Sequence, residues 1–212
     1  MIDEKKIETA LEEVITNKKE RKFKQTLELM VNFKGIDFNK PENRLNLEIP
    51  LPAGRGKDID IVVFAEGQMA TDVKKAGIKQ VFNKEEMEEL AKDKRKMKKL
   101  ANENKFLAEP KLMIVVGKTF GPVLGSRGKM PKPLMGNIND VIDRTKRSVI
   151  VRSKGKYMPV VHIPVGTEDM SKEDLLKNIH AVMESIKGKV QSEQNIKELY
   201  LKFTMGEPVK IR

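Results

Sequence analysis

Glu198-Leu199-Tyr200-Leu201-Lys202-Phe203-Thr204-Met205-Gly206-Glu207-Pro208-Val209-Lys210-Ile211-Arg212 is the stretch that decides the fold. One parity of this stretch is apolar: Leu199, Leu201, Phe203 and Met205. This period-two pattern predicts a β-strand with one buried face. A glycine and a proline then predict a turn at the strand end. The matching strand patterns lie near the N-terminus, so both chain ends are predicted to build one sheet.

The N-terminal region contains one helical pattern and two strand patterns. Apolar residues recur at helical spacing from Lys5 to Lys18, which predicts an amphipathic helix. Apolar and polar residues alternate from Lys22 to Phe33 and again from Arg44 to Leu51. We therefore predict two strands here and pair them antiparallel.

The C-terminal region completes this domain. Residues Met158 to Val165 predict a strand, which Pro159 and Pro164 confine to a sheet edge or a short ladder. Ser171 and Asp174 have the spacing of a capping box that opens a helix. Residues 1–57 and 154–212 are thus predicted to form a discontinuous α+β domain. It has a four-stranded antiparallel sheet with two helices on one face.

Residues 58–153 have a different pattern, typical of α/β structure. Nearly continuous apolar runs predict strands covered on both faces. We place the strands at Ile59–Ala65, Gln80–Phe82, Leu112–Val116 and Ser148–Val151. Asn83 and Glu86 predict a second capping box, and residues 117–133 predict a long basic loop. The segment is predicted to be an inserted Rossmann-like three-layer domain, joined by mobile connections at 52–57 and 152–156.

Composition restricts the class of protein. The 212 residues include 42 Lys and Arg against 31 Asp and Glu, a net charge of +11. This excess predicts a polyanionic partner, most often nucleic acid. The absence of cysteine excludes disulfides and thiolate chemistry. Neither a signal-peptide core nor a run of ~20 apolar residues is present, so we expect a cytoplasmic protein that does not bind membranes.

The uncovered face of the predicted sheet mixes cations with short hydrogen-bonding groups. Its residues are Lys22, Lys24, Thr26, Glu28, Arg44, Asn46, Glu48, His162, Tyr200, Lys202 and Thr204. One interpretation is a solvated sheet face without a partner. The other is RNA binding, because RNA offers phosphates to the cations and 2′-hydroxyls to the polar groups.

Several short stretches together resemble the large-subunit ribosomal protein L-one family. They are Lys22-Phe23 with Thr26 and Glu28, Pro52 to Lys57, Gly121-Pro122-Val123-Leu124-Gly125 with Pro131, His162-Ile163-Pro164-Val165-Gly166, and Thr204-Met205-Gly206. The resemblance covers essentially the whole chain. Glu207 separates the glycine from the proline, as in the archaeal form of the family.

The resemblance implies a function and a site. The function is binding to a junction of large-subunit rRNA near the exit site for deacylated tRNA, with release of that tRNA, and repression through the protein's own mRNA leader. The implied RNA-binding residues are Lys22, Phe23, Thr26, Glu28, His162, Thr204, Met205 and Gly206. We expect no cofactor, and a monomer when the protein is free of the ribosome.

Two of these residues conflict with the strand pattern. Phe23 and Met205 share the parity of the buried residues, which favours the core, whereas the resemblance places both at the RNA. The core interpretation of Phe23 fails if the strand begins after it. His162 is either an ordinary polar strand residue or an RNA contact.

An enzyme that uses a nucleotide is the competing class. Gly117-Lys118-Thr119 resembles the end of a phosphate-binding loop, but Leu112 stands where that loop needs a glycine. The sequence offers no paired acid and base, so we predict that the protein is not an enzyme. An RNA chaperone or processing factor on the same fold remains an alternative, because function lies in sites and not in folds.

Two basic segments of the inserted domain have open interpretations. Lys118, Arg127, Lys129 and Lys132 predict either a second RNA or tRNA contact or a solvated connector. The run from Lys92 to Lys99 is interpreted as a solvated helix face.

Overall fold

The computed structural model describes residues 4–153, 158–190 and 193–212. The chain forms two compact units. The discontinuous unit contains residues up to 57 and from 147 onwards, and the inserted unit contains residues 58–146. The predicted fold class, α+β combined with α/β, is confirmed.

The described residues contain the following elements. The helices are α1 (Glu4–Thr16), α2 (Gly67–Lys75), α3 (Lys84–Lys92), α4 (Lys94–Glu103), α5 (Met113–Ser126), α6 (Ile138–Arg147) and α7 (Lys172–Val190). The strands are β1 (Thr26–Phe33), β2 (Asn46–Pro50), β3 (Ile61–Phe64), β4 (Gln80–Phe82), β5 (Lys105–Ala108), β6 (Lys132–Pro133), β7 (Ser148–Arg152), β8 (Val160–Thr167), β9 (Ile196–Phe203) and β10 (Val209–Lys210). None of the helices is long and apolar enough to cross a membrane, as judged over the described ranges.

An antiparallel sheet in the order β10-β9-β1-β8 forms the centre of the discontinuous unit. Strand β8 lies at an edge, one of the two arrangements that Pro164 and the preceding Pro159 predict. Alternate residues of β1 and β9 are buried, and α1 and α7 pack on that face. The opposite parity of β1, β8 and β9 is only half-buried, so this face of the sheet remains open.

The partner predicted for the second strand is wrong. Strand β2 pairs antiparallel with β7 in a separate two-stranded sheet, with Asn46 opposite Arg152 and Pro50 opposite Ser148. The fourth place in the main sheet belongs to β10, which follows the turn at Gly206. An alternating pattern shows that a strand has one buried face, but it does not specify the neighbour. Because β7 pairs with β2, it belongs to the discontinuous unit. The prediction that this strand belongs to the inserted sheet is therefore wrong.

The inserted unit is a three-layer α/β structure. Its four strands are parallel, in the order β4-β3-β5-β6. Helices α3, α4 and α5 supply the buried residues of one face, and α2 and α6 those of the other. The predicted capping box is present, because Asn83 and Glu86 exchange hydrogen bonds of 2.8 Å at the start of α3.

The strand predicted at Leu112–Val116 and the loop predicted to follow it are both wrong. Residues 113–126 form helix α5, and the strand lies earlier, at β5. Val116, Phe120 and Leu124 are buried at intervals of four residues along this helix. A short apolar run cannot distinguish a buried strand from a buried helix, and the glycines and Pro122 obscured the continuation. Gly117-Lys118-Thr119 therefore lies inside a helix and not after a strand.

Candidate RNA-binding surface

The residues that the resemblance selects converge at one end of the main sheet. Leu27 in β1 is paired with Phe203 in β9, so the residues before Thr26 and those after Phe203 lie at the same end. We call this the end surface. It comprises Lys22, Phe23, Thr26, Glu28, His162, Thr204, Met205 and Gly206.

The Thr204 hydroxyl closes this end of the sheet. Its Oγ1 accepts a hydrogen bond from the backbone N–H of Thr26 at 3.1 Å and donates one to the Thr26 carbonyl at 3.3 Å. The Thr204 backbone N–H also donates to that carbonyl, at 3.1 Å. Thr204 therefore fixes the turn, which leaves one lone pair of its hydroxyl for a partner.

Gln25 supports the same turn from within the fold. Its side chain is 1% exposed, accepts a hydrogen bond from the Met205 N–H at 3.2 Å and donates one to the Lys19 carbonyl at 3.0 Å. Its backbone N–H donates to the Glu168 carboxylate at 3.1 Å. Gln25 was not among the residues predicted for this site. The available signal was a glutamine on the parity of the buried residues, since a buried amide needs partners.

Phe23 and Met205 are solvent-exposed apolar residues. Phe23 is 50% exposed and Met205 is 58% exposed. Strand β1 begins only at Thr26 and β9 ends at Phe203, so neither residue belongs to the alternating part. The core interpretation of both residues is therefore wrong. The two side chains provide an apolar surface beside the turn, of the kind that packs against a base or a ribose.

Lys22 has no carboxylate partner among the described residues. Lys24 forms an ion pair with Asp169 at 2.6 Å, and this hydrogen-bonded carboxylate raises the pKa of Lys24. Lys18 forms an ion pair with Glu168 at 3.3 Å. Unlike Lys18 and Lys24, Lys22 can thus approach a phosphate without giving up an ion pair.

Glu28 and His162 extend the end surface onto the open sheet face. The Nδ1 atom of His162 lies 4.0 Å from a Glu28 carboxylate oxygen, and both side chains are about one-third exposed. Lys202 is the β9 residue opposite Glu28. The sheet therefore places an acceptor, an imidazole and a cation next to one another, with each side chain partly accessible.

Gly206 has little intramolecular reason to be glycine. A Cβ atom at this position would lie 3.4 Å from both the Cβ and the backbone nitrogen of Phe203, and its φ is not positive. The fold would accept a small side chain here with a slight adjustment. A requirement for glycine at this position would come from a partner that approaches the backbone.

The far half of the open face is occupied by contacts within the protein. Glu198 accepts hydrogen bonds from Asn32 at 3.1 Å and from Lys210 at 3.2 Å. The hydrogen bond from Asn32 lowers the pKa of Glu198 most, and the hydrogen bond from Lys210 lowers it further. Lys210 also lies 5.7 Å from the centre of the Tyr200 ring. This pairing distinguishes the far half from the end surface.

The four basic residues predicted as a second contact are not in one flexible loop. Lys118 is exposed on α5, whereas Arg127 donates a hydrogen bond to the Asn102 side chain at 2.9 Å. Lys129 donates to the backbone carbonyl of Asn102 at 2.7 Å. Burial lowers the pKa of Lys132, and the nearby Arg144 cation lowers it further. Lys129 and Lys132 therefore have roles inside the unit.

The predicted connection at 52–57 is exposed at Pro52, Gly56 and Lys57, but its centre makes hydrogen bonds to the discontinuous unit. The buried Asn178 side chain accepts a hydrogen bond from Ala53 N–H at 3.0 Å and donates one to the Gly54 carbonyl at 2.8 Å. Gly56 has a φ of +69°, and a Cβ there would lie 2.2 Å from the Thr167 hydroxyl oxygen. The segment is thus fixed to the discontinuous unit. The second predicted connection ends at β7 on its N-terminal side, and residues 154–156 lie outside the described ranges.

Comparison with known proteins identifies the class. The family model for the ribosomal protein L1p/L10e family matches residues 14–207. The large ribosomal subunit protein uL1 of Methanothermobacter thermautotrophicus is 45% identical over 195 residues, covering 90% of this chain and 91% of that protein. The large ribosomal subunit protein uL1 of Methanothermococcus thermolithotrophicus is 41% identical over 214 residues, covering 99% of this chain and 99% of that protein. The uL1 protein of Pyrococcus abyssi is 42% identical over 99% of this chain and 97% of its own length.

These matches make the chain a structural protein of the large ribosomal subunit, located with the ribosome in the cytoplasm, and not an enzyme. It belongs to the ribosomal protein L1p/L10e family. The resemblance inferred from the short stretches is therefore confirmed, including its archaeal character.

Proposed function

We propose that the chain binds large-subunit rRNA through the end surface. The observation that carries the proposal is the convergence of eight selected residues, from three distant parts of the chain, at one end of one sheet. Family membership supports the choice of rRNA as the partner.

Each group has a distinct role in this proposal. Lys22 neutralises a phosphate, and Phe23 and Met205 pack against a base or ribose. Glu28 accepts from a ribose hydroxyl or a base amino group, beside His162. The hydroxyl of Thr204 holds the turn in position, and Gly206 lets the RNA approach the backbone because it has no side chain.

The finer parts of the proposal come from the resemblance. The rRNA site is a junction near the exit site for tRNA, and the protein assists release of deacylated tRNA. It also represses translation by binding a leader of its own mRNA. Because one surface serves both RNAs, the leader and the rRNA compete for the protein, which is a monomer when free.

Lys22→Ala tests the electrostatic part of this proposal. The probe is an rRNA fragment from the mobile side stalk of the large subunit, where the resemblance places the junction; we call it the stalk fragment. We expect the variant to bind the stalk fragment and a shuffled RNA of equal length about 5- to 10-fold more weakly, because one phosphate contact is lost from each complex. The slope of log K against log salt concentration should fall by about one. Fluorescence anisotropy across a salt series measures both quantities.

Lys34→Ala is the matched control, since Lys34 is exposed just beyond the opposite end of β1. We expect its affinities to stay within about twofold of the unmodified protein. Equal losses for Lys22→Ala and Lys34→Ala would contradict the assignment of Lys22. The proposal as a whole would be overturned if the unmodified protein released the stalk fragment and the shuffled RNA at the same salt concentration.

A further inference from the structure

The charges of the inserted unit are segregated along its sequence. Residues 94–132 contain eleven Lys and Arg against two Asp and Glu. The rest of the unit, residues 58–93 and 133–146, contains seven Lys and Arg against eleven Asp and Glu. The basic excess of the unit therefore lies entirely in the part that carries α4 and α5.

Three cations of helix α4 lie on its outward side. Met97 and Ala101 face the core, which places Arg95, Lys98 and Lys99 on the outward side, and all three are exposed. Residues three and four positions apart are neighbours on a helix surface, with about 5–6 Å between their Cβ atoms. The three cations therefore form one continuous row.

Arg127 extends this row from the end of α5. Its guanidinium donates a hydrogen bond to the side chain of Asn102, which lies one turn beyond Lys98 and Lys99 on α4. It also donates to the Val123 carbonyl at 3.3 Å. Arg127 is thus held beside the row while its side chain remains exposed. We call Arg95, Lys98, Lys99 and Arg127 the basic ridge.

The ridge is unfavourable for the isolated protein. Arg95 lies in the first turn of α4, where the helix dipole disfavours a cation, although the Asp93 side chain caps the helix. Like charges at a spacing of three or four residues destabilise a helix. Over the described ranges, no carboxylate forms an ion pair with Arg95, Lys98 or Lys99. Of the described carboxylates, Glu103 lies one turn beyond Lys99 without forming an ion pair with it, so most of this repulsion is left for an anionic partner to relieve.

We propose that the basic ridge is a second RNA contact, which binds the phosphate backbone of an RNA helix. This inference rests on the proposed function, because the end surface would bring the RNA to the protein. The outward side of α4 carries no apolar or aromatic residue. It therefore lacks the anchor of a typical protein interface and the ring on which unpaired bases stack. Cations and an amide are the groups that contact phosphate and sugar without reading sequence.

A charge-matched pair of variants tests the ridge. Arg95→Gln/Lys98→Gln/Lys99→Gln removes three charges from it. Lys74→Gln/Lys75→Gln/Lys79→Gln removes three from exposed positions in and just after α2, which packs on the opposite face of the same sheet. We expect the ridge variant to lower the salt slope for a stalk fragment with its flanking helices by about two, and the control variant by less than about one-half.

Lysine acetylation footprinting of the unmodified full chain provides a readout that needs no variant. With the same fragment bound, Lys98 and Lys99 should react several-fold more slowly, while Lys74 and Lys79 keep their rates. Equal salt slopes for both variants, or unprotected Lys98 and Lys99 in a complex that remains specific, would overturn the ridge proposal alone. Protection of these lysines by an acidic protein of the subunit and not by RNA would overturn it in favour of a protein interface. Loss of preference for the stalk fragment over shuffled RNA would instead contradict the proposed function.

Discussion

Replacing Asn178 by alanine is expected to lower the free energy of unfolding of the discontinuous unit by roughly 3–5 kcal/mol. The side chain is fully buried in α7 and makes three hydrogen bonds. The side chain accepts a hydrogen bond from Ala53 N–H at 3.0 Å. It donates one hydrogen bond to the Gly54 carbonyl and one to the Val165 carbonyl, each at 2.8 Å. Alanine would leave the buried Val165 carbonyl, and the partly buried Ala53 N–H and Gly54 carbonyl, without this partner, at about 1–3 kcal/mol for each group that water cannot reach. Urea unfolding measures the loss.

Ser185→Ala is the control for this prediction. Ser185 lies on the same helix, is half-buried and donates one hydrogen bond to the Ala181 carbonyl. We expect its substitution to change the free energy of unfolding by less than about 1 kcal/mol. If Asn178→Ala had as small an effect, segment 52–57 would not depend on this amide for its position.

Met205→Ala and Phe23→Ala are expected to weaken binding to the stalk fragment by about 10- to 100-fold each. The reason is that each removes an exposed apolar side chain from the end surface, and packing of a base on such a side chain contributes roughly 1–3 kcal/mol. Binding to shuffled RNA should change much less, since charge dominates nonspecific affinity. Competition of both RNAs for each variant at one salt concentration measures the difference.

Met158→Ala is the matched control. Met158 is 54% exposed, close to the value for Met205, but it precedes β8 at the opposite end of the sheet. We expect it to bind both RNAs as the unmodified protein does. An equal loss for Met158→Ala would show that exposed methionine, and not position at the end surface, determines binding.

Local patterns predicted those elements whose signal lies within a few residues. Strands β1 and β9, helices α1 and α7, and the capping box at Asn83 follow from alternation, helical spacing and cap chemistry. These features depend on near neighbours in the sequence, which a single chain displays directly.

Strand partners and tertiary surroundings were harder to predict from the sequence. Strand β2 has the pattern of a half-buried strand, but its partner β7 lies about a hundred residues away, and no local signal names it. Helix α5 was mistaken for a strand and a loop because its apolar start is short and its glycines are typical of loops. In both cases the decisive contacts are tertiary.

The candidate site divides in the same way. The resemblance selected its residues, and the pattern alone would have assigned Phe23 and Met205 to the core. Whether these two residues belong to the core depends on where the strands begin and end. Such boundaries are the least reliable part of a prediction from sequence. Gln25 was missed because its role depends on three partners that are distant in sequence or lie in loops.

The most direct test of the account is hydrogen–deuterium exchange of the full chain with and without the stalk fragment. The account predicts slower exchange at the end surface, in the peptides that cover residues 22–28 and 202–206. It predicts unchanged exchange rates in the peptides that cover α1 and α7. Protection confined to those helices, with the end surface unaffected, would contradict the claim that the chain holds its RNA at this end of the sheet.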